Sequence, residues 1–257
     1  MFLALSLFLL PALTACRFQP RGQVELHIFA AASMTETMDE IIDTYRTQAP
    51  HVTIVPTYDS SGTLLTQIQE GAECDLFISA AQKQMDTLDG ENALLPGTRL
   101  DLLENEVALA VPDGNPKGIE SFDQLAELLK AGDVFLAMGN SDVPVGQYTQ
   151  KIFEYYDLDE ETMASAGTLT YGSNVKEVAT QVSEATVDCG VIYRTDAASA
   201  GLTVVDTATA EMCGQVIYPA AVLGNSRYPD EAKAFLDYLQ ADTSTQIFEA
   251  AGFSPIP

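Results

Sequence analysis

Val24-Glu25-Leu26-His27-Ile28-Phe29, running straight into Ala30-Ala31-Ala32-Ser33-Met34-Thr35-Glu36, is the stretch on which the fold turns. The first six residues form a short β-rich run. A helical period starts directly after it, with Met34, Met38, Ile41, Ile42 and Tyr45 on one face. The same alternation continues along the chain. Further β-rich runs are Val52–Tyr58, Asp75–Ser79, Glu106–Val111, Val134–Met138, Gly190–Tyr193, Leu202–Val205 and Val216–Leu223. Helical stripes between and after them are Leu64, Leu65 and Ile68; Phe122, Leu125, Leu128 and Leu129; and Phe235, Leu236 and Leu239. Nearly continuous apolar strands alternating with amphipathic helices predict an α/β fold, with parallel sheet covered by helices. No internal repeat and no long linker interrupts the pattern.

The helix starts carry the first hint of chemistry. Ser33-x-x-Glu36 and Ser121-x-x-Gln124 have the spacing of capping boxes. Ser61-Gly62-Thr63 precedes the second helix, Val145-Gly146 precedes one through Ile152 and Phe153, and Gly172-Ser173-Asn174 precedes one beginning near Val175. Small or hydroxylic residues there leave backbone N–H groups accessible, and the helix dipole favours an anion. In open α/β sheets such loops meet at the carboxyl ends of the strands, where ligands bind. Each start alone is ordinary N-cap chemistry; several on one chain make an anion site a candidate.

With 257 residues, 47% hydrophobic and 19% charged, the chain is long enough for one large α/β unit or two smaller lobes with a real core. A net charge of -25 argues against nucleic acid, whose phosphates would be repelled. So negative a field also fails to steer a small dianion inward, and an anion site here has to rest on local dipoles. Met1 to Leu10 is apolar except for Ser6, too short to span a bilayer and suited to a signal-peptide core, although no Lys or Arg precedes it. Leu13-Thr14-Ala15-Cys16 follows and resembles a bacterial lipobox, whose cysteine becomes the acylated first residue of the mature protein. Residues 1–16 are accordingly expected to be a lipoprotein signal peptide, with the mature chain extracytoplasmic and anchored to the bacterial cell membrane through Cys16. The alternative is a buried N-terminal helix with an incidental cysteine. Of the remaining Cys74, Cys189 and Cys213, one must stay unpaired. Their spacing matches no zinc motif, and a Cys189–Cys213 bridge is conceivable without being fixed by the sequence.

Several chemistries lack their residues. There is no Gly-x-Ser-x-Gly elbow, no Gly-Lys pair and no Gly-x-Gly-x-x-Gly. His27 and His51 are the only histidines, one in the apolar first strand and one in a loop, which leaves little for a triad or a zinc site. Asp157-x-Asp159-x-Glu161 has the outline of a calcium loop, but Thr162 stands where glycine is needed, and a solvated helix start is the better reading.

The segments picked out by pattern also resemble, in order, a known family: the periplasmic molybdate-binding proteins of ABC importers, type II solute-binding proteins. Phe29-Ala30-Ala31-Ala32-Ser33-Met34-Thr35 is similar to their opening signature, Ser60-Ser61-Gly62-Thr63-Leu64 to their second loop, and Asp75-Leu76-Phe77-Ile78-Ser79-Ala80 to the strand after it. Val143-Pro144-Val145-Gly146-Gln147-Tyr148, Asn174-Val175-Lys176, Gly190-Val191-Ile192-Tyr193, Tyr218-Pro219-Ala220-Ala221-Val222 and the ending Phe248 to Phe253 complete the set. Each motif is weak alone; the ordered set, covering Val24 to the C-terminus, is specific.

The resemblance implies two lobes, each a mostly parallel sheet flanked by helices, joined by two crossover strands near Glu106–Val111 and Val216–Leu223. Residues 24–107 plus 220–257 would form the first lobe and 108–219 the second. It also implies that Ser33 and Ser61 offer hydroxyl and backbone N–H to an oxyanion, Val145 and Val175 backbone N–H alone, and Tyr193 its phenolic O–H. The implied ligand is molybdate or tungstate, bound as an oxyanion, with no cofactor. The implied partners are an ABC permease and its ATPase, and the protein is expected to be a monomer and not an enzyme. The alternatives are another tetrahedral oxyanion such as sulfate or phosphate, and a serine-dependent enzyme using Ser33 or Ser61. Val145 stands where a smaller alanine is common, Ala81 where many relatives carry aspartate, and Cys74 and Cys189 are unusual for the family.

Overall fold

The structure, a computed structural model, describes residues 22–256; the expected signal peptide and Cys16 lie outside the described residues. β1 (Val24–Ala31) passes through a 3-10 turn (Ala32–Met34) into α1 (Thr35–Gln48). β2 (Val52–Asp59), α2 (Ser61–Gln69), β3 (Leu76–Ile78), α3 (Gln82–Gly90) and β4 (Leu100–Asn105) follow. The chain then crosses and builds β5 (Val107–Val111), α4 (Phe122–Ala131), β6 (Leu136–Gly139), α5 (Pro144–Tyr155), α6 (Glu160–Ser165), β7 (Leu169–Gly172), α7 (Val175–Ser183), β8 (Cys189–Tyr193), α8 (Arg194–Ser199) and β9 (Thr203–Thr207). After α9 (Ala210–Cys213) it returns with β10 (Val216–Val222), α10 (Pro229–Leu239), α11 (Asp242–Ala251) and β11 (Ser254–Pro255).

Two sheets result, ordered β11-β4-β10-β3-β1-β2 and β7-β6-β8-β5-β9. Each contains a parallel triplet, β2-β1-β3 in one and β7-β6-β8 in the other. β5 and β10, the strands by which the chain enters each sheet from the opposite lobe, run antiparallel to their neighbours. The first crossing is at Glu106, one residue before the expected boundary. The second differs more. β10 is paired with β4 from Val216 onward, so the whole strand belongs to the first sheet and the chain has crossed before it, not at 219/220.

Burial follows the pattern of the sequence. Every residue of β3, β5, β6 and β8 is buried, as strands covered on both faces require. Helix α1 buries Met38, Ile41, Ile42 and Tyr45, and α4 buries Phe122, Leu125 and Leu129. One core cluster extends through both lobes, and a second, around Phe29, Leu64, Phe77, Met85 and Leu88, lies beneath α2 and α3. Cys74, Cys189 and Cys213 are all buried, free thiols. Asp159 caps α6 by accepting the Thr162 N–H, the solvated helix start expected there.

Candidate functional site

In both parallel triplets the central strand is the first one laid down, β1 in one lobe and β6 in the other, so the chain goes to one side and then back to the other. Such switch points open a crevice at the strands' carboxyl ends. Ser33, Ser61, Val145, Val175 and Tyr193 all line a single cavity there, between the lobes. Its volume is about 10 Å³, room for the centre of about one water-sized sphere. That is far below the several hundred Å³ of a pocket for an organic ligand. Among the described residues no Lys or Arg lines it, and Asp59, at the end of β2, is its one carboxylate.

The first-lobe serines do not sit as the sequence pattern suggests. Ser33 lies within the 3-10 turn and caps nothing, and Glu36 reaches Lys176 rather than the chain before the helix, so this capping box does not form. The packing of β10 across β4 is what redirects Ser33, whose Oγ lies 2.9 Å from the Tyr218 hydroxyl. At α2 the cap is Ser60, accepting the Thr63 N–H, and this frees its neighbour. Ser61 Oγ instead accepts the Ala80 N–H at 2.9 Å. With that lone pair used, its own proton is available to the cavity. Both serines are buried, and both occupy first turns whose N–H groups have no intrahelical acceptor.

The second lobe supplies backbone. Pro144 takes the first position of α5 and has no N–H, so Val145 carries the helix's first donor. Gly146 lets this start sit against the end of β6: a Cβ there would lie 2.3 Å from the Gly139 carbonyl oxygen. Val175 opens α7, and the Asn174 cap takes the Glu177 N–H, leaving that of Val175 free of the cap. Tyr193 ends β8, and its hydroxyl is buried without a hydrogen-bond partner among the described residues. Burial pushes the phenols of Tyr193 and Tyr218 well above the ordinary tyrosine value, so both stay protonated.

Around the cavity the lobes touch. A Cβ at Gly62 in α2 would lie 2.1 Å from the Asp142 carbonyl oxygen of the other lobe, a separation only glycine allows. Lys176 Nζ, next to Val175, lies 2.8 Å from Glu36 Oε2 of the first lobe and 3.3 Å from Asp196 Oδ1 of its own. Burial alone would raise the Glu36 carboxyl, but Lys176 and the Glu36 N–H outweigh it and hold it below the usual value. Asp196 is fully buried with Oδ2 unpartnered; burial, only partly offset by Lys176, pushes it up to about 6.

Larger concavities exist, of about 450 and 630 Å³, but both are lined by first-lobe residues alone. Glu25, Glu73 and Asp75 line one, Asp89 and Glu91 the other, and the arginine in each, Arg227 and Arg99, is already paired with Glu73 and Asp89. Nor do the serines have a base: the partner of Ser33 is a phenol and that of Ser61 a backbone N–H. The sequence pattern and the resemblance single out all five donors but not Asp59, Asn105 or the roles of Gly62 and Tyr218. Gly62 and Tyr218 do carry a signal, as parts of the motifs at residues 60–64 and 218–222.

The model of the bacterial extracellular solute-binding protein family matches residues 26–254. YvgL of Bacillus subtilis strain 168, provisionally named as an ABC transporter substrate-binding lipoprotein, is 34% identical over 234 residues, covering 90% of this chain and 87% of YvgL. The molybdate-binding protein ModA of Escherichia coli K12 is 32% identical over 238 residues, covering 90% of this chain and 89% of ModA. The solved structure of the Azotobacter vinelandii periplasmic molybdate-binding protein shares the fold at a TM-score of 0.76, over 90% of this chain and 99% of its own, with 19% identity. A match that begins inside β1 and ends in β11 leaves neither lobe outside it, and the chain therefore belongs to the bacterial extracellular solute-binding proteins, as a ModA-like member that binds its solute rather than transforming it.

Proposed function

We propose that this protein captures molybdate or tungstate between its lobes and delivers it to the permease of an ABC importer, powered by that importer's ATPase. The observation that carries the proposal is the Tyr193 hydroxyl, buried without a partner beside two helix starts and two serines. A buried donor left dry costs about 1–3 kcal/mol, and a small ion made only of acceptors removes that cost. Ser33 and Ser61 give hydroxyl and N–H, Val145 and Val175 give N–H, and Tyr193 gives O–H. Neutral donors of fixed geometry replace the hydration shell of the dianion, so the site tolerates a net charge of -25 on the chain. Donors at a fixed span favour the longer bonds of molybdate and tungstate over those of sulfate. Binding favours closed lobes because donors from both meet on one ion. Acylated Cys16 tethers the monomeric protein to the outer face of the cell membrane.

Asp59 supports a second reading. A carboxylate in the lining can accept the proton of hydrogen phosphate, which an all-donor site rejects. Thermal unfolding with molybdate, tungstate, sulfate and phosphate, each added separately, decides between them. At about 100 times the dissociation constant a ligand adds ~2.7 kcal/mol, a shift of about 5–10 °C for a chain of this size. Shifts with molybdate and tungstate alone are expected. A shift with phosphate, lost in Asp59→Asn, replaces the substrate, and no shift with any of the four removes the anion site.

A further inference from the structure

We infer that Asn105 and Tyr218 are positioning residues that fix the Ser33 hydroxyl as a donor to the bound oxyanion, an inference that rests on the anion-capture proposal above. The direction of the chain of hydrogen bonds is set at its far end. Asn105 closes β4, and its Oδ1 accepts the Glu106 N–H at 2.8 Å, which settles which end of the amide is which. Its Nδ2 then faces the other way and spends its two protons on Thr195 Oγ1 at 2.9 Å and the Tyr218 hydroxyl at 3.2 Å. Tyr218 therefore accepts from Asn105. A phenol has one proton, and Ser33 Oγ, at 2.9 Å, is the partner left for it. Ser33 in turn accepts, and the proton of its own hydroxyl remains for the cavity that it lines.

Burial and packing hold the three groups in place. Tyr218 is 0% exposed, Ser33 4% and Asn105 5%, so water has little access to them. The Tyr218 ring is held edge-on by Tyr193 on one side and Phe253 on the other, with centroids 5.8 and 5.4 Å away. Thr195 comes from α8, so the second lobe helps to hold the amide that orients a serine of the first. A hydroxyl free to turn has to be ordered when the ion binds; here the ordering is built in before the ion arrives.

A double-mutant cycle read by calorimetric titration with molybdate separates this role from a structural one. Tyr218→Phe keeps the ring and removes the hydroxyl; it is expected to weaken molybdate binding by about tenfold. The same change made in Ser33→Ala is expected to weaken it by less than about twofold, because Tyr218 acts through Ser33. Equal losses in both backgrounds, or no loss in either, overturn the relay. If Tyr218→Phe does not fold, Asn105→Ala takes its place in the cycle, with the same pattern expected and the same outcomes decisive. The wild-type titration keeps the two proposals apart: no molybdate binding there removes the function and the relay with it, whereas binding with an additive cycle removes the relay alone.

Discussion

In the first lobe the groups lining the cavity include serine hydroxyls already engaged with the protein, Ser33 with the Tyr218 phenol and Ser61 as the acceptor of the Ala80 N–H. Across the cleft, at α5 and α7, they are backbone N–H groups, while the Val145 and Val175 side chains are packed into the core. One lobe thus depends on particular side chains held by hydrogen bonds, the other on where two helices begin. A side-chain donor is lost with a single atom, whereas a backbone donor persists through almost any substitution that leaves the helix start in place. Tyr193 is the exception in the second lobe, a side-chain donor whose hydroxyl has no partner among the described residues.

The largest effect is expected where the two sets are kept apart. Gly62→Ala puts a methyl group where only 2.1 Å separates it from the Asp142 carbonyl oxygen, so the lobes no longer meet as they do here. Molybdate affinity should fall about 100-fold or more, as the competent closed state is depopulated. Ligand-free stability should hold or rise, because alanine is favoured over glycine in a helix by about 1 kcal/mol. Thermal unfolding with and without molybdate measures both. An affinity kept within about threefold would show that this contact does not govern closure.

Next come the donors themselves. Ser61→Ala removes an acceptor from the Ala80 N–H and, on the proposed mode of binding, a hydroxyl from the ion, so affinity is expected to fall about 10- to 100-fold and stability by about 1–3 kcal/mol. Val145→Ala keeps the N–H and trims a buried side chain. Stability is then expected to drop by about 2 kcal/mol while molybdate affinity stays within about threefold. If Val145→Ala weakens binding as much as Ser61→Ala does, the contrast between side-chain and backbone donors is gone.

The same contrast marks what the sequence discloses. Strand-helix alternation is enough for β3, β6 and β8, because strands buried on two faces must be apolar throughout. It does not disclose β4, where Asp101 and Glu104 break the run, or β7, only four residues long and half exposed; pairing recruits both. Ser33 and Ser61 stand out as hydroxyls at helix starts, although the capping box read at Ser33 yields to a contact 185 positions away. Val145 and Val175 have no side-chain signal, since a backbone N–H is common to nearly every residue; the pattern marks only the helix starts at which they lie, and the ordered resemblance points to the residues themselves. Asn105 is silent for a different reason: its hydrogen bond to Tyr218 spans 113 positions and exists only after the crossings have formed.

Asp196 tests how the second lobe holds the start of α7, and its effect is the smallest. Fully buried beside Lys176, its carboxyl is pushed up to about 6, mainly by burial, against an ordinary value of 3.8. A raised carboxyl favours the folded state fully below the unfolded value, and that contribution is lost as pH rises through about 6. A rise from 3.8 to about 6 corresponds to at most about 3 kcal/mol, and relaxation around Lys176 makes on the order of 1 kcal/mol the expected figure. Asp196→Asn cannot titrate, so its stability relative to wild type should improve between pH 5 and pH 7.5 by that amount. Thermal unfolding of both proteins at the two pH values measures the difference. Parallel losses would mean that Lys176 keeps Asp196 ionised throughout, and that α7 is held by an ion pair rather than by a carboxyl that takes up a proton.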